Sequence, residues 1–154
     1  MNITQLFRPA KKKFFSEAEE ERMVQAIRSA EKQTSGEIRL FVESHCSFIN
    51  AMDRAIELFG ALDMQKTRER NGVLLYFAMK DRQLAILGDE GIHQKLGQTF
   101  WNSEVARILA RFKQQEFTEG ICGMITDVGE ALREHFPYER DDNNELSDEI
   151  IFGK

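Results

Sequence analysis

Residues 73–79 form an uninterrupted apolar run, VLLYFAM, directly after Asn71-Gly72. A strand with this pattern is covered on both faces, as in α/β proteins whose helices lie on both sides of the sheet. Lys80-Asp81 then makes a two-residue turn into a second apolar strand, which ends at Gly88. This short connection predicts an antiparallel hairpin, although Lys-Asp is not a favoured hairpin turn pair.

An earlier strand, Glu37 to Glu43, alternates in polarity. Ile38, Leu40 and Val42 share one face, and the remaining side chains share the other. A helix predicted over about 51–62 separates it from the apolar strand, so the pair forms a right-handed βαβ unit. The sequence therefore predicts an α/β fold with a mixed sheet and helices on both faces.

Further helices flank these strands. Ser16 and Glu19 have the spacing of a capping box and begin a helix that ends at Thr34-Ser35-Gly36, with the glycine as its C-cap. We predict a short helix after Gly91 and a longer one around residues 105–112. A last helix, around residues 121–132, takes Thr118 as N-cap. The glycines of this last helix suggest close packing on the sheet; they are Gly120, Gly123 and Gly129.

Size and charge restrict the class of protein. The chain has 154 residues and a formal net charge of −5, and Lys11-Lys12-Lys13 is its only dense basic run. A nucleic-acid-binding function is therefore not expected, because phosphate contacts need concentrated positive charge. The chain shows no membrane-spanning run or secretory signal, which predicts a cytoplasmic protein with two free cysteines and no direct membrane insertion. We divide it into an irregular leader (1–14), one α/β domain (15–137) and an acidic C-terminal tail (138–154).

Three polar segments should meet at one edge of this sheet. Parallel strands one and two both begin there, and antiparallel strand three ends there. The segments are Ser35-Gly36-Glu37, Arg70-Asn71-Gly72 and Gly88-Asp89-Glu90-Gly91. Their carboxylate and amide oxygens are the hard ligands that Ca²⁺ or Mg²⁺ prefers. The same residue types also form ordinary turns, and on the residues alone the turn interpretation is favoured.

These segments resemble the TPM domain family over about residues 16–136. The matching pieces are SGEI at 35–38, RNGVLL at 70–75, and the strand that closes in GDEG at 88–91. The resemblance implies a Rossmann-like three-layer α/β/α sandwich. Without a signal peptide or a membrane helix with a Gly-rich tail, the chain is similar to a short, soluble bacterial subgroup with an acidic tail after Phe136-Pro137.

The resemblance also implies a site and two functions. Carried over to this chain, the cation site comprises Glu37, Asn71 and Asp89, with Glu90 as a fourth candidate ligand, and Ca²⁺ or Mg²⁺ as the ion. Other family members have non-catalytic roles, including plant thylakoid proteins of photosystem repair and a membrane subunit that modulates a receptor. We therefore expect a divalent-cation-binding interaction or regulatory module with an unknown protein partner. The alternative is a cation-dependent phosphatase that uses the same carboxylates, with its catalytic residues unknown.

Other chemistry has weaker support in the sequence. His45-Cys46 follows strand one where open α/β sheets often bind ligands, but adjacent residues of an extended chain point apart, so His45 is poorly placed to activate Cys46. Glu43 and His45 could supply two metal ligands, without a third. The chain has neither a Walker loop nor a GxGxxG fingerprint, so no nucleotide or NAD site is expected.

Overall fold

The computed structural model describes residues 14–47, 50–138 and 150–153. Four α-helices, one 3₁₀ helix and four strands lie in these ranges, and their order agrees with the sequence prediction up to the tail. In chain order they are α1 (Glu17–Glu31), β1 (Glu37–Glu43), α2 (Ala51–Ala61), a 3₁₀ helix (Met64–Lys66), β2 (Gly72–Ala78), β3 (Gln83–Gly88), α3 (Glu90–Lys113), α4 (Phe117–His135) and β4 (Ile151–Phe152).

The strands form one mixed sheet in the order β3-β2-β1-β4. β1 and β2 are parallel, with Glu37 beside Gly72, and β2 and β3 are antiparallel, with Val73 beside Gly88. This confirms the βαβ unit and the hairpin. The β2–β3 connection has four residues rather than two, and Arg82 takes a left-handed conformation there (φ 54°).

Helices cover both faces of the sheet, so the fold has the predicted three layers. The larger core lies between the face of Ile38, Leu40 and Val42 and helices α1, α3 and α4. A smaller core on the opposite face joins Phe41 and Tyr76 to α2. The alternation predicted for β1 is therefore correct, and both faces of that strand are buried.

The structure confirms most of the predicted helix boundaries and corrects two details. The capping box at Ser16 and Glu19 is present. Gly36 is not a C-cap, because α1 already ends at Glu31; it instead packs tightly against Leu132. Thr118 is not an N-cap either: it lies inside α4, where its hydroxyl donates to Glu19. The two helices predicted after Gly91 are both present as the two segments of α3, which are separated by a kink with non-helical backbone at Gly97 (φ 76°).

Two of the three glycines of α4 pack against neighbouring helices, not against the sheet as predicted. A Cβ at Gly129 would lie 2.6 Å from the Ala30 Cβ of α1, and one at Gly120 would meet Arg111 and Phe112 of α3. At Gly123 a Cβ would meet nothing within 4 Å. The prediction failed because α4 lies between α1 and α3, which is a property of the tertiary structure.

The end of the chain contributes a strand that the sequence did not predict. Ile151 and Phe152 pair in parallel with Phe41 and Val42, and the Gly153 N–H donates to the Val42 carbonyl at 2.8 Å. The apolar end of the tail therefore joins the sheet of its own chain. The leader, apart from Phe14, and the acidic stretch 139–149 lie outside the described residues.

Candidate functional site

Backbone hydrogen bonds join the three polar segments at the edge where β1 and β2 begin, called here the amino edge. The Glu37 N–H donates to the Asn71 carbonyl (3.4 Å), and the Asp89 N–H donates to the Gly72 carbonyl (2.9 Å). The Gly91 N–H donates to the Arg70 carbonyl at 2.8 Å. The predicted meeting of the three segments is therefore present.

Arg70 is the central side chain of this edge. Its Nε and Nη2 atoms contact the two carboxylate oxygens of Asp89 at 2.7 and 2.8 Å. Its Nη1 atom reaches Glu90 Oε1 at 3.2 Å. The Arg70 side chain is 41% exposed, whereas that of Asp89 is 6% exposed. One accessible guanidinium thus neutralises two of the four predicted ligands.

Asn71 belongs to a second hydrogen-bonded group on the same edge. Its amide nitrogen donates to Ser35 Oγ at 3.1 Å and to Glu69 Oε2 at 3.4 Å. The Ser35 hydroxyl also donates to Glu69 Oε2, at 2.7 Å. Glu69 is a carboxylate that the sequence reasoning missed. Its position just before the RNG segment was the only available signal, since Ser35 is 34 residues away in the chain.

Close packing between backbone segments restricts the conformation of the amino edge. Arg70 has a left-handed backbone conformation (φ 53°), which is unfavourable for a residue with a side chain. A Cβ at Gly91 would lie 2.2 Å from the Glu69 carbonyl oxygen and 2.6 Å from that of Arg70. Gly91 is therefore needed because two backbone segments meet here. Asp89 also caps α3, since its side chain accepts from the Glu90 N–H.

The predicted cation ligands do not form a ready coordination shell. Both Asp89 oxygens are bound to Arg70, and Glu37 and Asn71 are buried. Among the described residues, no group of three or more His, Cys, Asp or Glu side chains is arranged to hold a metal ion. A cation shared by Asp89 and Glu90 would compete with Arg70 for their oxygens. The metal assignment of Glu37, Asn71, Asp89 and Glu90 thus stays a prediction.

The opposite edge, where β1 and β2 end, is called here the carboxyl edge, and it carries a more buried cluster. Arg54 of α2 contacts both oxygens of Glu43, with its Nε at 2.9 Å and its Nη2 at 3.0 Å. The Tyr76 hydroxyl donates to the same carboxylate. Burial, followed by the hydrogen bond to Glu43, raises the pKa of Tyr76 well above its usual range, so the hydroxyl stays protonated. The guanidinium also lies 5.7 Å from the centre of the Phe41 ring.

His45 and Cys46 share a partner rather than forming a nucleophile and base. Asp81 contacts His45 Nδ1 through Oδ1 (2.8 Å) and accepts the Cys46 N–H through Oδ2 (2.7 Å). The hydrogen bond from His45, and then that from the Cys46 backbone, lower the pKa of Asp81. The Cys46 thiol donates weakly to the Asn50 carbonyl at 3.8 Å. Glu43 and His45, the weaker metal pair, therefore have separate partners.

Comparison with known proteins decides the family. The family model of the TPM domain matches residues 10–131. This chain belongs to the TPM domain family. It is similar to the BA42 protein of the psychrophilic bacterium Bizionia argentinensis, solved by NMR, with 40% sequence identity and a TM-score of 0.85 over 94% of this chain and 99% of that one.

A second solved structure supports the fold alone. The N-terminal domain of the cg2496 protein of Corynebacterium glutamicum has 12% identity and a TM-score of 0.56, over 80% of this chain and 85% of that domain. No curated protein sequence matches this TPM chain significantly. Among the described residues, no helix is long and apolar enough to cross a membrane.

Proposed function

We propose that this TPM domain binds a divalent cation, Ca²⁺ or Mg²⁺, at its amino edge and acts as a non-catalytic interaction module. The observation that carries the proposal is the position of the Arg70 guanidinium, which contacts both Asp89 and Glu90 from a partly exposed site. A positive charge already occupies the point between these carboxylates. A divalent cation would compete for the same oxygens.

Asp89, Glu90 and Glu69 would supply the carboxylates of such a site. Asn71 and Ser35 hold Glu69 through hydrogen bonds, and the backbone of Glu37 is bound to Asn71. In this arrangement Asn71 and the Glu37 backbone position the loops around the ion. Displacement of Arg70 then releases an exposed guanidinium, which changes the charge that the edge presents to a protein partner.

The test is a titration of the whole chain with CaCl₂ and, separately, MgCl₂, followed by amide NMR shifts. We expect shifts at residues 35–37, 69–72 and 88–91. Asp89→Asn keeps the helix cap, since Asn caps as well as Asp, but removes the charge, so it should abolish these shifts. Glu130→Gln, an exposed change on α4, is the matched control and should leave them intact.

The variant Arg70→Gln should have the opposite effect to Asp89→Asn and bind the cation more tightly than the wild type. Removing the competing guanidinium should tighten cation binding several-fold, since a pair whose arginine is partly exposed contributes on the order of 0.2–1 kcal/mol. Shifts elsewhere, none at millimolar ion, or equal binding by Asp89→Asn would each reject the proposal.

The alternative is a cation-dependent phosphatase. It would use the same ligands but would also hydrolyse a phosphate ester, which the interaction module would not. Phosphate release from a generic phosphomonoester with Mg²⁺ present would favour it if Asp89→Asn lost the activity and Glu130→Gln kept it. An absence of release together with intact cation binding would favour the interaction module.

A further inference from the structure

A groove of about 480 Å³ lies between α3 and α4, separate from both edges of the sheet. Glu104, Arg107 and Arg111 of α3 line one wall, and Gly123 and Asp127 of α4 line the other. Glu104 is the unusual member, because its carboxyl side chain is only 3% exposed. Neither the predicted site nor the TPM motifs include these residues.

The two carboxyl groups of the groove share one arginine atom. Arg107 Nη1 lies 3.3 Å from Glu104 Oε1 and 3.1 Å from Asp127 Oδ2. Burial, followed by the hydrogen bond to Asp127 and its negative charge, raises the pKa of Glu104 to about 7, although Arg107 opposes this shift. Near neutral pH the Glu104 carboxyl is therefore partly protonated where it faces Asp127 of the neighbouring helix.

The other charged groups of the groove are already paired. Arg111 contacts Glu116 at 3.0 Å, and Glu119 contacts Arg22 of α1 at 3.4 Å. β3, against which α3 also packs, has the sequence QLAILG and contains no charge. Arg107 is therefore the cation that faces both Glu104 and Asp127 directly.

The packing of α3 against α4 differs along the groove. At Gly120 a Cβ would lie 3.2–3.3 Å from Arg111, Phe112 and Ile108, so the helices are in tight contact there. At Gly123, one turn closer to Asp127, a Cβ would meet nothing within 4 Å. A glycine inside a helix lowers the stability of the helix by about 1 kcal/mol relative to alanine. Tight packing does not explain why a glycine is present at position 123. The contact between α3 and α4 is therefore more open at Gly123 than at Gly120.

We propose that Glu104 and Asp127 form a pH-operated latch between α3 and α4. When the pair holds a proton, a carboxyl–carboxylate hydrogen bond closes the Asp127 end of the groove. When both groups are ionised, two like charges face each other with only Arg107 between them, and that end loosens. The latch is independent of cation binding at the amino edge.

The sign of the pH effect follows from the raised pKa. The folded chain binds this proton more tightly than the unfolded chain, whose glutamate has the ordinary value of 4.5. The stabilisation is thus complete below about pH 4.5, is lost as pH rises to about 7, and stays absent above that.

The first experiment is a carboxyl ¹³C NMR titration of the whole chain. We expect a Glu104 midpoint near pH 7 in the wild type and a lower midpoint in Asp127→Asn, because that change removes the neighbouring charge. An ordinary glutamate midpoint in the wild type would overturn the proposal, as would an unchanged one in Asp127→Asn.

The second experiment tests the movement. Amide shifts of residues 104–112 and 118–128 should follow the Glu104 midpoint in the wild type and lose that transition in Glu104→Gln, which keeps the shape and removes the proton. A transition that persists in Glu104→Gln comes from another group and rejects the latch. Glu119→Gln, a change in the same groove, is the control and should retain the transition.

Discussion

The two edges of the sheet each hold a bidentate arginine–carboxylate pair, but in different surroundings. At the carboxyl edge the Arg54 and Glu43 side chains are 15% and 5% exposed, and Tyr76 adds a further hydrogen bond. At the amino edge Asp89 is equally buried, yet Arg70 is 41% exposed. Similar contacts therefore serve different purposes. The carboxyl-edge pair is part of the core, whereas the amino-edge pair is open to solvent on its arginine side, which is the basis of the cation proposal.

The largest loss of folding stability should come from breaking the buried pair of Arg54 and Glu43. Arg54→Ala leaves Glu43 charged and buried without its cation, and it should destabilise the fold by about 3–5 kcal/mol. Urea denaturation measures this loss. Glu57→Gln removes only an exposed partner of Arg54 and serves as the control. A loss no larger than that of Arg70→Ala would remove the proposed distinction between the two edges.

A smaller loss should follow from disturbing the backbone of the amino edge. Gly91→Ala places a methyl group against two carbonyl oxygens, and we expect a destabilisation of about 1–3 kcal/mol. Gly123→Ala is the matched change in open space and should stabilise the protein by about 0.5–1 kcal/mol. Equal effects of the two substitutions in thermal or urea unfolding would show that the edge is not tightly packed.

Removing the arginine of the amino-edge pair should reduce folding stability less than either of these changes. Arg70→Ala removes a partly exposed cation, and we expect a loss of about 0–1 kcal/mol. Added NaCl should reduce the difference between this variant and the wild type, because salt screens exposed charges. A salt-insensitive loss as large as that of Arg54→Ala would contradict an exchangeable pair.

The smallest effect on folding stability is expected from Asp81, in the exposed part of the carboxyl edge. Because its hydrogen bonds lower the pKa of Asp81, the stabilisation from this carboxylate is present above the unfolded value of 3.8 and is lost as pH falls through the lower folded value. NMR titration should place the Asp81 midpoint below 3.8. His45→Gln should raise that midpoint, and an unchanged midpoint would show that His45 does not cause the shift.

Part of the site could be predicted, because strand direction alone brings its segments together. Two parallel strands and one antiparallel return place the segments at Glu37, Asn71 and Asp89 at one edge, whatever their side chains do. The partners of those side chains were not predictable in the same way. Arg70 could have faced solvent, and its contact with Asp89 spans 19 residues. The cation assignment stays a prediction for that reason.

The sequence by itself determined the local features of this protein: the capping box at Ser16, the alternation of β1, the apolar β2 and its hairpin with β3. These depend on residues close together in the chain, where backbone geometry restricts the choices. Only the tertiary structure decided that Arg70 neutralises Asp89, that Glu104 meets Asp127, and that the last residues add a strand. Such contacts join distant segments, and their burial sets how strongly their charges interact, which no local pattern contains.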